Sequence, residues 1–388
     1  MFKRLSILGS TGSIGRQTLE IVKANPDHFE CRALAAGRNV DLLAEQIKQF
    51  KPGYVSVYSE KEARKLESII GKNLHCEILT GEEGLKTLAS LAEVDIVMIA
   101  VVGIAGLIPT LEAIKSKKTV ALANKETLVA GGSIVIPEAR KNNVKILPVD
   151  SEHSAIFQCI QDKQATEVNK IIITASGGPF RTWSKEKIKQ ATVEQALNHP
   201  NWNMGPKVTI DSSTLMNKAL EIIEARWLFE LDYSRIEVLI HPQSIVHSLV
   251  EFIDGSVLAQ LGNPSMLVPI QYALSYPKRL ESKLVKPLDL ASLTNLEFAV
   301  ADLERFPALK LAYEAGKKDG TYPVTMNAAN EVAVNAFIKR KIQFNDILQI
   351  VEKCLERHTP VYNPALVDIL DADRWARIFT EELLQPAY

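Results

Sequence analysis

The chain has 388 residues, of which 46% are apolar and 23% are charged, and its formal net charge is −1 at pH 7. This composition excludes intrinsic disorder for most of the chain, and the near-neutral charge argues against a dedicated nucleic-acid or membrane-surface binding protein. The length predicts two or three domains.

Cysteine spacing and apolar runs indicate the compartment. The four cysteines form no CxxC motif, which argues against a zinc knuckle or a redox pair and is typical of a reducing compartment. The apolar runs are too short or too interrupted for a membrane span, and the run after Arg4 is too short for a signal peptide. We therefore expect a cytoplasmic protein with neither a membrane nor a nucleic-acid partner.

Residues 1–149 alternate short apolar runs with amphipathic helical patterns. This alternation is typical of βαβ units, so the overall class is α/β and this part is predicted to be a Rossmann-like domain with a parallel sheet. The predicted strands are Leu5–Leu8, Cys31–Ala36, Tyr54–Val57, Cys76–Leu79, Asp95–Ala100, Thr119–Ala123 and Val144–Val149.

The pattern changes after residue 149. Residues 150–278 predict an α+β catalytic domain with an antiparallel part, in which Asp254-Gly255 marks a hairpin between two strands. The other predicted strands are Lys170–Thr174, Ile236–Ile240, Val246–Ile253 and Ser256–Leu261. A helical pattern begins near Asp211, residues 279–304 are predicted to form a linker, and residues 305–388 a C-terminal α-helical domain.

Glycines cluster directly after the first predicted strand, in Gly9-Ser-Thr-Gly-Ser-Ile-Gly15. Glycines let a backbone approach a pyrophosphate, and the following helix would supply N–H groups. The hydroxyls of Ser10, Thr11 and Ser13 would donate to phosphate oxygens. Arg38 follows the second strand where an NAD site usually has an acid, which favours NADP(H). The alternative is a glycine-rich turn without a ligand.

Polar residues also follow two later strands. Asn124, Lys125 and Glu126 stand at a carboxyl end, where ligands of open parallel sheets bind, although a solvated turn would look the same. Asp150 and Glu152 are two residues apart, so in an extended segment their carboxylates would project together and suit Mg²⁺ or Mn²⁺. The alternative is a polar loop that caps the next helix.

The second half of the predicted site lies between residues 176 and 221. Asn217, Lys218 and Glu221 would share one side of a helix, either as part of a site or as an ordinary solvent-exposed face. Ser176-Gly177-Gly178 ends a strand as a phosphate nest candidate, and Ser212 lies at a helix start. His241 and His247 are interpreted as structural histidines.

Taken together and in order, the motifs resemble those of the 1-deoxy-D-xylulose 5-phosphate reductoisomerase family over nearly the whole chain. The motifs that carry the resemblance are Gly9–Gly15, Ala123–Glu126, Pro148–His153, Thr174–Phe180, His199–Trp202, Asp211–Ser212, Met216–Lys218, His241–Ile245 and Asn327–Glu331. The family more often has Asp, Arg and Thr at the positions of Ser265, Leu267 and Val268.

The resemblance implies an NADPH-dependent oxidoreductase of non-mevalonate isoprenoid biosynthesis. It would isomerise 1-deoxy-D-xylulose 5-phosphate and reduce the product to 2-C-methyl-D-erythritol 4-phosphate with a divalent cation, Mg²⁺, Mn²⁺ or Co²⁺. It also implies a homodimer and a mobile flap near residues 183–206.

The resemblance implies a role for each matching residue. The metal ligands would be Asp150, Glu152 and Glu221, which with Lys125 form the catalytic set. The substrate would contact Lys125, Ser151, Glu152, Ser176, His199, Trp202, Ser212, Asn217, Lys218 and Glu221. The cofactor would contact Gly9, Ser10, Thr11, Gly12, Ser13, Ile14, Gly37, Arg38, Asn39, Asn124, Glu126 and Gly205.

Two other functions fit parts of the sequence. A metal-assisted NADP-dependent dehydrogenase of another sugar phosphate or hydroxy acid would not need a phosphate pocket and a metal triad together. An NADPH-sensing regulator would not need the three carboxylates.

Overall fold

The computed structural model describes residues 2–71, 76–161, 165–202 and 204–385. Packing divides the chain into two compact units. The first unit comprises residues 1–127, 135–154 and 265–286, and the second comprises residues 128–134, 155–264 and 287–388. Within the described residues, no helix is both long enough and apolar enough to cross a bilayer.

The strands follow the predicted positions closely in both units. They are β1 (Lys3–Leu8), β2 (Phe29–Ala35), β3 (Tyr54–Val57), β4 (Glu77–Thr80), β5 (Ile96–Ile99), β6 (Thr119–Leu122), β7 (Ile146–Pro148), β8 (Val168–Ala175), β9 (Ile236–Ile240), β10 (Val246–Phe252), β11 (Val257–Leu261) and β12 (Ala299–Val300).

The helices of the N-terminal half alternate with the strands. They are α1 (Ser13–Ala24), α2 (Val40–Phe50), α3 (Glu60–Ile70), α4 (Gly81–Ser90), α5 (Leu107–Lys115), α6 (Lys125–Lys141) and α7 (Ser151–Ile160). The later helices are α8 (Lys185–Lys189), α9 (Val193–Leu197), α10 (Pro206–Thr214), α11 (Met216–Phe229), α12 (Leu267–Ser275), α13 (Ala308–Lys318), α14 (Tyr322–Ile338), α15 (Asp346–Arg357) and α16 (Leu366–Leu383).

The first unit contains a seven-stranded parallel sheet in the order β4-β3-β2-β1-β5-β6-β7, which confirms the predicted Rossmann-like fold. Its central strands are buried on both faces, as Leu5, Ile7 and Leu8 show with no exposed surface. The strand order reverses between β1 and β5, which is where open α/β sheets bind their ligands.

The second unit contains a mixed five-stranded sheet in the order β11-β10-β8-β9-β12 and the helices α13–α16. The predicted hairpin joins β10 and β11, with Gly255 at a φ of +85°. β12 lies inside the segment predicted as a linker and pairs antiparallel with β9. The C-terminal part is helical, as predicted.

The helical pattern predicted from near Asp211 differs from the structure in two ways. The helix begins earlier, at Pro206, and Leu215 divides it into α10 and α11. Leu215 has a φ of +60°, a left-handed conformation that ends α10 and lets α11 start in a new direction.

Candidate active site

The glycine motif forms the turn from β1 to α1. Gly9 has a φ of +97°, and a Cβ there would lie 2.4 Å from the carbonyl oxygen of Ala100. A Cβ on Gly15 would lie 2.2 Å from the carbonyl oxygen of Gly9. Glycine is therefore required for the loops after β1 and β5 to approach this closely, at the reversal of the strand order.

Ser10 has a different role from the one predicted for its hydroxyl. Ser10 is fully buried, and its hydroxyl donates to Gln46 Oε1 at 2.7 Å, while Gln46 Nε2 donates to the Ser10 carbonyl at 2.9 Å. Because the hydroxyl proton is used inside the protein, Ser10 ties the turn to α2 and offers no hydroxyl donor to a phosphate. Residues 11–14 are exposed or half-buried at the start of α1.

Gly37, Arg38 and Asn39 follow β2 at the same edge of the sheet. A Cβ on Gly37 would meet nothing within 4 Å, so no steric need for glycine exists there. Asn39 caps α2, because its side chain accepts from the Leu42 N–H at 3.3 Å. Arg38 is exposed beside this cap. The segment thus presents one cation near the carboxyl end of β2.

Asn124 is a structural hub and not part of a solvated turn. It is 2% exposed, and its amide donates to the carbonyls of Val101 at 2.8 Å and Gly103 at 3.0 Å. It also donates to the Glu126 carboxylate at 3.0 Å and accepts from the Thr127 N–H at 2.9 Å. Asn124 therefore fixes the loop after β5 against the start of α6, and Glu126 is held beside it.

The carboxylates of Asp150 and Glu152 lie close together in the first unit. An oxygen of Asp150 lies within 4.8 Å of an oxygen of Glu152, and an oxygen of Asp150 likewise lies within 4.8 Å of a ring nitrogen of the fully buried His153. Ser151 links the two acids, since its N–H donates to Asp150 Oδ1 at 2.9 Å and its hydroxyl to Glu152 Oε2 at 2.5 Å. Hard oxygen donors at this separation suit Mg²⁺ or Mn²⁺.

The sequence predicts an extended segment around these two acids, but the structure has a helix there instead. α7 begins at Ser151, so Asp150 immediately precedes the helix and Glu152 lies in its first turn. The Ser154 N–H donates to the Asp150 carbonyl at 2.8 Å, which is the first bond of the helix. Helix capping and proximity of the carboxylates therefore coexist here.

Lys125 forms an ion pair with Asp150 at the carboxyl ends of β6 and β7. Its Nζ lies 2.5 Å from Asp150 Oδ2, and the two side chains are only 11% and 14% exposed. Such shielding from water strengthens the electrostatic interaction relative to a surface pair. The pair places an ammonium group directly beside a candidate metal ligand.

In the second unit, Lys218 and Glu221 of α11 are buried and Asn217 is half-buried, so the interpretation of a solvent-exposed face is wrong for these residues. Lys218 is 4% exposed and Glu221 is fully buried, and the two form a salt bridge. Asn217 Nδ2 donates to the other Glu221 oxygen at 2.5 Å. A carboxylate this deeply buried needs such partners. Glu224, one turn later and 1% exposed, is not singled out by the sequence.

The loop after β8 meets the end of α10. The sequence predicts Ser212 at a helix start, but Ser212 lies in the last turn of this helix, because α10 begins earlier, at Pro206. Gly177 and Gly178 have φ values of +80° and +63°. The Gly178 N–H donates to Ser176 Oγ at 3.2 Å, and a Cβ on Gly178 would lie 2.6 Å from the Ser212 carbonyl oxygen. The structure therefore brings together the two predicted phosphate-binding segments, which carry Ser176 and Ser212.

His199 joins this cluster as a neutral donor. Its Nδ1 accepts from the N–H groups of Asn201 at 3.2 Å and Trp202 at 3.0 Å, which places the proton of the neutral ring on Nε2. Nε2 lies 3.0 Å from Ser176 Oγ. Burial lowers the pKa of His199 to about 4, so the ring is neutral near pH 7.

His247 lies on β10 close to Trp202, with ring centroids 6.4 Å apart. It is 8% exposed, and its pKa is lowered to about 4, mainly by burial. The sequence predicts only a structural role for His247 and does not reveal that it lies near Trp202. His241 is structural as predicted: it is fully buried, and its Nε2 accepts from the N–H groups of Ile245 and Val246, both at 3.1 Å.

Gly205 is the N-cap of α10, and a Cβ there would meet nothing within 4 Å. Its predicted contact with the cofactor stays a prediction. Asn203, beside the predicted flap tryptophan, lies outside the described residues.

Comparison with known proteins supports one family across the chain. Family models match residues 5–132 (1-deoxy-D-xylulose 5-phosphate reductoisomerase), 146–229 (its C-terminal domain) and 261–379 (DXP reductoisomerase C-terminal domain). The 1-deoxy-D-xylulose 5-phosphate reductoisomerase of Pelotomaculum thermopropionicum is 54% identical over 375 residues, which cover 97% of each chain.

Solved structures agree with this match. That of the 1-deoxy-D-xylulose 5-phosphate reductoisomerase from Zymomonas mobilis in complex with NADPH has a TM-score of 0.93 and 43% identity, with both chains fully covered. A structure of DOX-P reductoisomerase in complex with NADPH, fosmidomycin and magnesium has a TM-score of 0.93 and 42% identity. It covers 99% of this chain and 98% of that chain.

Proposed function

The chain belongs to the 1-deoxy-D-xylulose 5-phosphate reductoisomerase family, and from this premise we propose how its residues carry out the reaction. The protein is an NADPH-dependent oxidoreductase that isomerises 1-deoxy-D-xylulose 5-phosphate and reduces the product to 2-C-methyl-D-erythritol 4-phosphate. Its cofactors are NADPH and Mg²⁺, and the reaction belongs to isoprenoid biosynthesis.

We propose that Asp150, Glu152 and Glu221 hold the divalent cation. Two observations support this assignment: the Asp150 and Glu152 oxygens lie within 4.8 Å of each other, and Glu221 is a fully buried carboxylate. When bound, the cation supplies Lewis-acid polarisation of substrate oxygens and a template for their orientation.

Lys125 is the proposed proton-transfer residue. Its ammonium group lies 2.5 Å from Asp150 and is largely shielded from water. A substrate hydroxyl next to Asp150 would therefore come within hydrogen-bond reach of Lys125 Nζ, which can hold or release a proton at that oxygen.

The substrate phosphate is assigned to the cluster in the second unit. Ser176 and His199 already form a hydrogen bond of 3.0 Å, and Ser212 stands against the neighbouring Gly178. Asn217 and Lys218 add an amide and an ammonium group on α11. Trp202, whose backbone is held by His199, is proposed to cover the bound substrate and exclude water.

The cofactor assignment covers the glycine turn and the segment after β2. The pyrophosphate of NADPH would bind at the Gly9–Ile14 turn, and the 2′-phosphate of its adenosine ribose would bind Arg38. NADPH supplies the hydride when bound. Gly37, Asn39, Asn124, Glu126 and Gly205 complete the assignment.

The domain organisation also stays a proposal. In it, residues 1–149 bind NADPH and residues 150–278 bind metal and substrate. Residues 279–304 link these parts to the helical residues 305–388.

We propose that the chain acts as a homodimer in the cytoplasm. The edge strands of the mixed sheet carry large exposed apolar side chains, with Val257 48%, Leu258 46% and Val300 83% exposed. Such edges favour association with a second copy. The free cysteines, of which Cys31 and Cys354 are buried, fit a reducing compartment. Light scattering tests the dimer, and a mass equal to one chain would contradict it.

The observation that carries this mechanism is the pairing of a lysine with a shielded carboxylate in each unit: Lys125 with Asp150, and Lys218 with Glu221. The test follows NADPH consumption with 1-deoxy-D-xylulose 5-phosphate and Mg²⁺ or Mn²⁺, then with excess EDTA, and identifies the product. We expect a rearranged product and complete loss of turnover with the chelator. A reduced but unrearranged product would support the alternative dehydrogenase.

A further inference from the structure

The loops that follow β2 and β3, at the carboxyl ends of these strands, carry two side chains that contact each other. Arg38 follows β2 and Tyr58 follows β3, and these strands are neighbours in the sheet. The guanidinium carbon of Arg38 lies 4.7 Å from the centroid of the Tyr58 ring. This distance is that of a cation–π contact.

Backbone hydrogen bonds fix the two loops to each other. The Ala36 N–H donates to the Ser56 carbonyl at 2.9 Å, and the Tyr58 N–H donates to the Gly37 carbonyl at 3.2 Å. The pairing of β2 with β3 thus continues past both strand ends. Tyr58 therefore stands beside Arg38 because of the sheet, and not by chance contact of long side chains.

The Arg38 fork is available to a ligand. Throughout the described ranges, no carboxylate lies within salt-bridge distance of Arg38, and its guanidinium donates no hydrogen bond to the protein. The guanidinium of Arg4, by contrast, donates from Nε and Nη2 to the Asp95 carboxylate. A planar guanidinium with free donors is the side chain that binds phosphate in a bidentate manner.

The exposure of Tyr58 points to the same use. The ring is 59% exposed, which is high for a large aromatic side chain at the carboxyl edge of a buried sheet. Its contact with Arg38 restricts the rotamers of the arginine while leaving the N–H donors open. Restriction of a side chain before binding lowers the entropy cost of binding.

We propose that Tyr58 is a specificity-determining positioning residue: it holds Arg38 ready for the 2′-phosphate of NADPH and so raises the preference for NADPH over NADH. This inference rests on the proposed role of Arg38. It predicts that Tyr58 affects binding only of ligands that carry the 2′-phosphate.

The test measures direct binding of 2′,5′-ADP and 5′-AMP by calorimetry, without turnover. Tyr58→Ala should weaken 2′,5′-ADP by about 2- to 10-fold, the cost of ordering one long side chain on binding, and leave 5′-AMP unchanged. Tyr58→Phe keeps the ring and should bind like the unmodified protein. Tyr362→Ala, at a tyrosine that is 63% exposed, is the matched control and should change neither ligand.

Arg38→Ala separates failure of this inference from failure of the proposed Arg38 role. In the Arg38→Ala background, Tyr58→Ala should have no further effect on 2′,5′-ADP. If Arg38→Ala leaves the preference for 2′,5′-ADP intact, both the Arg38 assignment and the inference are wrong. If Arg38→Ala abolishes the preference but Tyr58→Ala does not lower it, or weakens both ligands equally, only the inference is overturned.

Discussion

Lys125 and Asp150 form an ion pair of 2.5 Å in which both side chains are more than four-fifths buried. The two residues follow the neighbouring strands β6 and β7, so the parallel sheet itself brings them together. A lysine in this position compensates the carboxylate charge and stands next to the oxygen that we assign to the metal. In the proposed mechanism, this pair would link metal binding to proton transfer.

Lys125→Met should lower kcat by about 10²- to 10⁴-fold, because it removes the proposed proton-transfer group. The measurement is steady-state NADPH consumption with saturating substrate. Lys141→Met is the matched control, since Lys141 lies on the same helix with its side chain 76% exposed. A folded Lys125→Met protein with undiminished kcat would refute the assigned role.

His199→Asn should raise the KM for 1-deoxy-D-xylulose 5-phosphate while changing kcat less. The asparagine side chain can still accept from the N–H groups of residues 201 and 202, but it is too short to place a donor where Nε2 of His199 lies. The expected rise is about tenfold or more, because a hydrogen bond to a charged group contributes about 1.5–3 kcal/mol. His28→Asn, in the first unit, should leave KM unchanged. An equal effect of both substitutions would contradict the assignment.

Gly178→Ala and Gly255→Ala separate backbone strain from steric conflict. Both residues have positive φ values, +63° and +85°, so each substitution should cost about 1–3 kcal/mol of unfolding free energy. At Gly178 the new Cβ would also lie 2.6 Å from the Ser212 carbonyl, whereas at Gly255 it meets nothing within 4 Å. Only Gly178→Ala should therefore raise the KM for substrate.

Urea unfolding at several pH values tests a prediction about how His247 affects stability. The same method, at one pH, measures the free energies of unfolding of Gly178→Ala and Gly255→Ala. The folded pKa of His247, about 4, is below the ordinary 6.5, so the unfolded chain binds a proton that the folded chain does not. Stability should be complete above pH 6.5 and fall toward pH 4, by up to about 1.4 kcal/mol per pH unit for this group. His247→Gln should flatten that part of the profile. A profile identical to that of the unmodified protein would contradict the burial effect.

The sequence predicts the regular part of the fold because hydrophobic periodicity is a local signal. Tyr54–Val57 and Ile236–Ile240 are predicted with the bounds that the structure has. β12 is not predicted, because a strand of only two exposed residues shows no alternation of apolar and polar side chains. The break at Leu215 also escapes it, since a leucine at a φ of +60° has no signature in sequence.

The sequence predicts candidate site residues from their types and spacing, but it does not predict their surroundings in the fold. Sequence spacing places Lys218 and Glu221 on one side of a helix, but their burial depends on the packing of the whole second unit around α11. The hydrogen bond between Ser10 and Gln46 joins the turn after β1 to α2, so no local sequence pattern predicts it. Such long-range contacts decide whether a polar residue faces a ligand or the protein.

The proposed metal site is tested most directly by the affinity for Mn²⁺, measured by calorimetry on the unmodified protein and on folded Glu221→Gln. We expect Glu221→Gln to weaken Mn²⁺ binding by more than about tenfold, because loss of a ligand costs at least as much as loss of a residue that orients one. Glu314→Gln, at an exposed glutamate of α13, serves as control and should bind normally. An unchanged Mn²⁺ affinity in folded Glu221→Gln would contradict the assignment of the metal site.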